Sequence, residues 1–273
     1  MAGTRRLGLS MFVALLTALA SAGIPAYAAI VYENDFETGF GPEWTSSAGP
    51  PTIVTTPFFQ RHFLGEFVNG TVSLNLGPLP AHTTAHVEFD LFVLRSWDGM
   101  NQELGCTPTS CESWRVGPRG GPTPIDTNFN NIGGFPAPRG SVQAFPDNVG
   151  GGVHPFHTGA VEVGSLGLPA LIQDAETQEI GVVCCFDAVY HFELAFPHQG
   201  PQVTLDFTAS DLQILDPALQ QQFDFFFPDE SWGLDNVKVS VGVPEPPLVG
   251  LLGVAALVLW ALGAVAPRRR DVT

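Results

Sequence analysis

Ala85-His86-Val87-Glu88-Phe89-Asp90-Leu91-Phe92-Val93-Leu94 is the stretch whose reading decides the fold. Val87, Phe89, Leu91 and Val93 alternate with Glu88, Asp90, Phe92 and Leu94. Successive side chains on a strand point to opposite faces, so this period of two marks a strand with one face buried. The other face is charged as far as Asp90 and apolar from Phe92 onward. That switch predicts a central strand whose second half is covered on both sides. The strand gives out at Ser96-Trp97-Asp98-Gly99.

Working outward, Phe63–Val68 and Thr71–Leu76 flank Asn69-Gly70, which predicts a hairpin closed by a tight turn. Strand patterns resume at Gly159–Val163, Ile180–Phe186, Val189–Phe196 and Gln202–Ala209. A final strand at Val237–Val241 has one apolar face. Residues 117–152 hold nine Gly and six Pro, which predicts a long loop region. Roughly eight to eleven short strands separated by turn residues, with no amphipathic helix of useful length, predict an all-β fold, a β-sandwich of jelly-roll type. The Phe223–Phe227 cluster is expected to cover one open edge of its core.

The two ends do not belong to that sandwich. Arg5-Arg6, an apolar run from Leu7 to about Ala22 and Ala26-Tyr27-Ala28 form the three parts of a secretory signal peptide over residues 1–28. This places the folded domain at 29–242. The last segment, 243–273, contains Pro244-Glu245-Pro246, an uncharged stretch Leu248–Ala266 and then Arg268-Arg269-Arg270. The uncharged stretch is long enough for one transmembrane helix, and the arginines would hold its far end in the cytoplasm. Motif, helix and arginine cluster in this order resemble the PEP-CTERM sorting tail. That resemblance implies an exosortase as partner, a membrane anchor before processing and a mature protein at the cell surface.

The domain carries 25 acidic residues against six cations (Arg61, Arg95, Arg115, Arg119, Arg139 and Lys238), a formal balance of −19. Such a surface repels phosphate backbones and excludes nucleic acid as a partner, while it suits divalent cations. Cys106, Cys111, Cys184 and Cys185 are an even set in an exported chain, which predicts disulfides. Three pairings are open; bonds crossing between the two sites are geometrically easier than a vicinal Cys184–Cys185 pair. The spacing is wrong for the paired knuckles of a zinc site.

Asp35-Phe36-Glu37 with a downstream Trp44, and the closing Ser231-Trp232-Gly233-Leu234-Asp235-Asn236-Val237, resemble exported jelly-roll modules of the galactose-binding and concanavalin-like kind. The resemblance implies a structural Ca²⁺ where the first strand meets the last. Glu37 and Asp235 match its acids, with Asp35 and Glu230 as further candidates, against the alternative of solvated carboxylates capping turns. Trp97 with Asp98, and Trp114, are candidates for a sugar platform, with burial in the core as the competing reading for these and for Trp232.

Catalysis finds less support in the residues. Glu88 and Asp90 share one face of a strand, as a glycosidase pair can, but Asp229-Glu230 is equally acidic and carboxylates abound. Gly-x-Ser-x-Gly, His-Glu-x-x-His and phosphate-loop patterns are absent from the sequence. His154 and His157 offer two metal ligands without an obvious third. The sequence thus predicts a non-catalytic, surface-sorted β-sandwich, a binding or structural component of the envelope or its extracellular polysaccharide. A glycan-active enzyme on the same sandwich is the alternative, and a matrix protein without a ligand comes third.

Overall fold

The computed structural model describes residues 28–100, 112–132, 142–173, 180–214 and 228–242. Among them all the regular structure is strand. In chain order the strands are β1 (Ala28–Asn34), β2 (Trp44–Ser46), β3 (Thr52–Thr55), β4 (His62–Phe67), β5 (Gly70–Leu76), β6 (Thr84–Arg95), β7 (Ser113–Pro118) and β8 (Ile125–Thr127). They continue with β9 (Val142–Gln143), β10 (His154–Pro155), β11 (Glu162–Val163), β12 (Ala170–Gln173), β13 (Ile180–Val183), β14 (Asp187–Pro197), β15 (Val203–Ser210) and β16 (Glu230–Gly242). A seven-stranded sheet runs β11-β14-β6-β16-β4-β3, with β1 also paired to β16. A five-stranded sheet runs β2-β5-β15-β7-β8, and β9–β10 and β12–β13 form two small ribbons. The first strand and the last are therefore neighbours, although more than 190 residues of chain separate them.

The alternation in β6 works as its sequence predicts. Val87, Phe89, Leu91 and Val93 point between the sheets, where they join Leu74, Val116, Leu205 and Phe207 from the smaller sheet in one buried core. Glu88 and Asp90 face outward and are partly exposed. Beyond Asp90 the outer face is dry, because Phe92 and Leu94 lie under Leu166 and Leu168, with Phe63 and Val189 beside them. Asp187 holds that cover in place. Its carboxylate accepts the backbone N–H groups of Leu166 (3.0 Å), Gly167 (3.0 Å) and Leu168 (3.2 Å), satisfying donors that a buried loop would otherwise leave unpaired.

The expected hairpin at Asn69-Gly70 does not form. β4 belongs to the larger sheet and β5 to the smaller one, so the dipeptide is a corner between layers. The Asn69 side chain explains why: its amide donates to the Leu212 carbonyl (2.8 Å) and accepts from the Leu212 N–H (2.7 Å), pinning the corner to a distant segment. Gly70 takes a φ of 130°, and a Cβ there would stand 2.8 Å from the backbone of Ala48. Only glycine fits that close approach.

Cys184 and Cys185 are bonded to each other in the turn between β13 and β14, not across to the other pair. Cys106 and Cys111 lie outside the described residues, as do the segment expected to be a signal peptide up to Tyr27, the expected sorting tail with its 248–266 stretch and the Phe223–Phe227 cluster.

Candidate functional site

The outer face of the seven-stranded sheet carries an open polar groove of about 730 Å³. A change of parity in β16 creates its floor. Trp232 and Leu234 are buried in the core, and so are Val237, Val239 and Val241, so the inward positions switch from even to odd between Leu234 and Val237. Asn236 absorbs the switch with a φ of 51°, a left-handed conformation that Asn tolerates better than most residues. The change of parity acts as a β-bulge does, re-aiming side chains, while the register shift against β4 lies between Trp232 and Leu234. Asp235 and Asn236 are both left free of the core, and each is used.

Asn236 donates to Asp90 Oδ2 (2.7 Å) on the neighbouring β6. Asp90 Oδ1 lies 2.7 Å from Nδ1 of His191, its cross-strand partner on β14. Glu193 and Glu88 are the next such pair, at 3.7 and 3.9 Å from His191 Nε2, and Lys238 stands 3.6 Å from Glu88. Glu33, Asn34, Asp35 and Thr38, from the end of β1 and the turn after it, form the other wall. That turn is fixed by Asn34, which accepts from the Phe36 N–H (2.7 Å) and donates to the Gly39 carbonyl (3.0 Å). Aromatic rings are missing from the groove's lining; it is a surface of carboxylates, amides, one imidazole and one ammonium.

Two groups here bind protons more tightly when folded. The hydrogen bond to Asp90 raises the pKa of His191; burial opposes that rise, and the charges of Asp90, Glu88 and Glu193 add to it. Burial pushes Asp235 up to about 6, against the opposing pull of the Asn236 N–H and of Arg61. A raised histidine stabilises fully below its ordinary value and ceases to do so as pH rises through its folded value. For Asp235 the stabilisation builds as pH falls from about 6 toward its ordinary 3.8. His157 and His198, pushed down by burial, pull the other way. The readout is therefore a comparison: between about pH 8 and about pH 5 the thermal midpoint of the native protein should rise more than that of His191→Gln. Equal slopes would mean that the Asp90–His191 bond does not act on stability.

The acids expected to gather a cation do not gather. Glu37 Oε2 lies 2.9 Å from His62 Nδ1, and Asp235 Oδ2 lies 3.4 Å from the Arg61 guanidinium, which also holds Glu162 at 3.0 Å. Asp235 is thus paired with Arg61, and Glu37 stands beside His62. Asp35 accepts the Glu37 N–H at 3.2 Å and caps the turn. Glu230 lies elsewhere, buried at one end of the sandwich with Asp98 and Glu112.

The sugar platform is also corrected. Trp97 and Trp114 are fully buried, as is Trp232, because each occupies an inward position and packs between the layers. The Trp97 indole donates to the Ser231 carbonyl (2.7 Å) and that of Trp232 to the Val68 carbonyl (3.0 Å). His154 pairs with Asp147 at 3.0 Å rather than with His157. Sequence reasoning placed Glu88 and Asp90 on one face correctly, but missed His191, Asn236 and Lys238. The parity change from Leu234 to Val237 was the signal that could have found the bulge.

No family model matches this chain, and no curated protein matches it. Among solved structures it is similar to a carbohydrate-binding module of a Cellvibrio mixtus lichenase in complex with cellotriose (9% identity, TM-score 0.30, 77% of this chain and 97% of that one). It is similar also to a family 35 carbohydrate-binding module from Clostridium thermocellum (11% identity, TM-score 0.30, 78% and 98%). A third likeness is to an exo-β-1,3-galactanase from Phanerochaete chrysosporium (11% identity, TM-score 0.30), of which this chain spans 29%. No residue role transfers at this distance.

Proposed function

We propose that this chain is a non-catalytic, exported β-sandwich that binds neutral extracellular polysaccharide through the groove on its larger sheet. In this reading its signal peptide exports it, and its C-terminal tail hands it to an exosortase for sorting to the cell surface. The observation that carries the binding reading is the bulge at Asp235-Asn236, which presents Asn236 and Asp90 together beside His191, Glu88 and Lys238. Paired carboxylates and amides accept and donate to vicinal hydroxyls, and an ammonium adds a further donor. The groove's acids outnumber its cations, so anionic glycans are disfavoured.

Affinity electrophoresis of the purified protein through gels containing neutral or anionic polysaccharides tests the binding. Retardation is expected in a neutral polysaccharide, with about a tenfold loss of affinity in Asn236→Ala, roughly the contribution of one or two hydrogen bonds. Equal mobility in every gel would overturn it. For the sorting, mass spectrometry of the exported protein should find a C-terminus near Pro244-Glu245-Pro246; a chain intact through Thr273 would reduce the tail to a plain anchor. A glycan-active enzyme remains the second reading, since Glu88 and Glu193 flank His191 across paired strands. Release of reducing ends from a retained polysaccharide, abolished by Glu88→Gln, would favour it.

A further inference from the structure

β14 pairs with β6 along its whole length, Asp187 to Pro197. On its other side β11 covers only the beginning, with Glu162 opposite Val189 and Val163 opposite Ala188. From Tyr190 to Pro197 no strand among the described residues lies beside it. That open run is about 27 Å long at roughly 3.4 Å per residue, more than the length of a common whole strand.

Successive residues of a strand turn their backbone groups to opposite neighbours. The Phe186 carbonyl accepts the Arg95 N–H at the end of β6 (2.6 Å), whereas the Asp187 and Val189 carbonyls accept the N–H groups of Gly164 (2.9 Å) and Val161 (2.8 Å) on the β11 side. Odd positions therefore face outward, and the N–H and C=O groups of His191, Glu193 and Ala195 continue that row without a backbone partner among the described residues. The strand that presents them is already fixed, because Phe192 and Phe196 between them are buried in the core. Adding a strand here would cost no ordering of β14 itself. Folded sheets guard long edges with proline, bulges or charge. Here Pro197 stands only at the far end, and the guard along the run is the carboxylate of Glu193, 79% exposed.

We propose that the open edge of β14 takes an extended segment of another polypeptide as an added strand, with basic residues alternating with apolar ones. Charge selects the occupant. Glu193 lies opposite Glu88 on β6, and Lys238 stands by Glu88 at 3.6 Å, so Glu193 keeps only His191 near it, at 3.7 Å. A lysine or arginine opposite Glu193 answers that carboxylate as a cross-strand pair. Positions opposite Phe192 and Leu194 point to the inner side, where Leu194 is half-buried and the Phe145 ring lies 5.3 Å from that of Phe192, so apolar side chains suit them. A second copy is the wrong occupant, because it brings a domain of formal charge −19 to an acidic edge. Backbone hydrogen bonds supply affinity in such an addition, and alternate side chains supply selectivity.

The test uses the purified full chain in detergent and a fluorescein-labelled peptide of alternating valine and lysine, with binding read by fluorescence anisotropy. The peptide should bind, and its valine–glutamate counterpart should not. Ala195→Pro removes an outward N–H and spares the ladder to β6, a place where edge strands tolerate proline. It should weaken binding about tenfold, roughly the contribution of one or two hydrogen bonds, while retardation by neutral polysaccharide stays as in the native protein. Glu193→Lys should weaken it about fivefold. The valine–lysine peptide N-methylated at alternate residues keeps its charge but loses backbone donors, and should bind about tenfold more weakly. That peptide and Glu193→Lys decide the matter if Ala195→Pro does not fold. Undiminished binding of the methylated peptide would mean attraction by charge alone and would overturn the proposal. So would an absence of binding, or self-association of the protein that the valine–lysine peptide fails to displace, which would give the edge to a second copy.

Discussion

Trp114→Ala is expected to lower stability by about 3–5 kcal/mol, or roughly 6–20 °C in the thermal midpoint of a domain this size. The side chain is a hub. Its rings meet those of Phe89 (5.9 Å), Phe192 (5.7 Å), Phe207 (6.3 Å), Phe129 (6.4 Å) and Trp232 (6.1 Å), drawn from both sheets and from the loop after β8. Truncation leaves a cavity whose walls are large rigid rings on paired strands, which cannot collapse to fill it. Trp114→Phe should cost less than half as much, because it keeps a ring and removes an indole N–H that is buried without a partner. Thermal unfolding followed by circular dichroism checks both. A near-neutral Trp114→Ala would place this tryptophan on a rim, as a sugar platform requires.

The second large effect concerns a buried ion pair. Glu66 receives the Arg95 guanidinium through two hydrogen bonds, from Nε (2.7 Å) and Nη2 (3.1 Å), and accepts the Ser231 hydroxyl as well. Arg95's side chain is only 5% exposed. Glu66→Ala removes the carboxylate that takes two of the guanidinium's hydrogen bonds, which costs about 3 kcal/mol, with Asp229 and the Pro169 carbonyl still acting on Arg95. Replacing both partners by apolar residues, Glu66→Leu with Arg95→Met, should recover much of that loss, because the desolvation cost disappears with the charges. A double-mutant cycle in denaturant measures the difference. If the double variant were as unstable as the sum of the singles, the pair's value would lie in packing and not in charge.

Much of the sandwich could be read from local pattern. In β6 the period of two gave the strand, and the change from Glu88 and Asp90 to Phe92 and Leu94 marked where the outer face becomes dry. Corners are harder to read than strands. Asn69-Gly70 has hairpin chemistry, but a hydrogen-bonded partner at Leu212 decides its use, and sequence pattern does not show a contact made over 143 residues. The partners of the acids are hidden for the same reason. Glu37 and Asp235 look like any other carboxylates, and their fate depended on Arg61 and His62, which only the folded sheet brings to them. The tryptophans were legible in principle. Trp114 alternates with Val116, and Trp232 with Leu234, so their inward direction follows from strand pairing alone.

The two longest strands of this protein are kept inside its larger sheet. β16 has 13 residues and β6 has 12, and each has neighbours on both sides. The strands that end the two sheet paths are short: β11 has two residues, β3 four, β2 three and β8 three. An unpaired edge is a template on which a second chain can add a strand, and its danger grows with its length. Where these strands form the border a passing copy finds only a few backbone groups to grip; the longer open run is Tyr190–Pro197 of β14, which β11 leaves uncovered. A crowd of such molecules held side by side in one layer would meet mainly through surfaces of net negative charge, which repel one another.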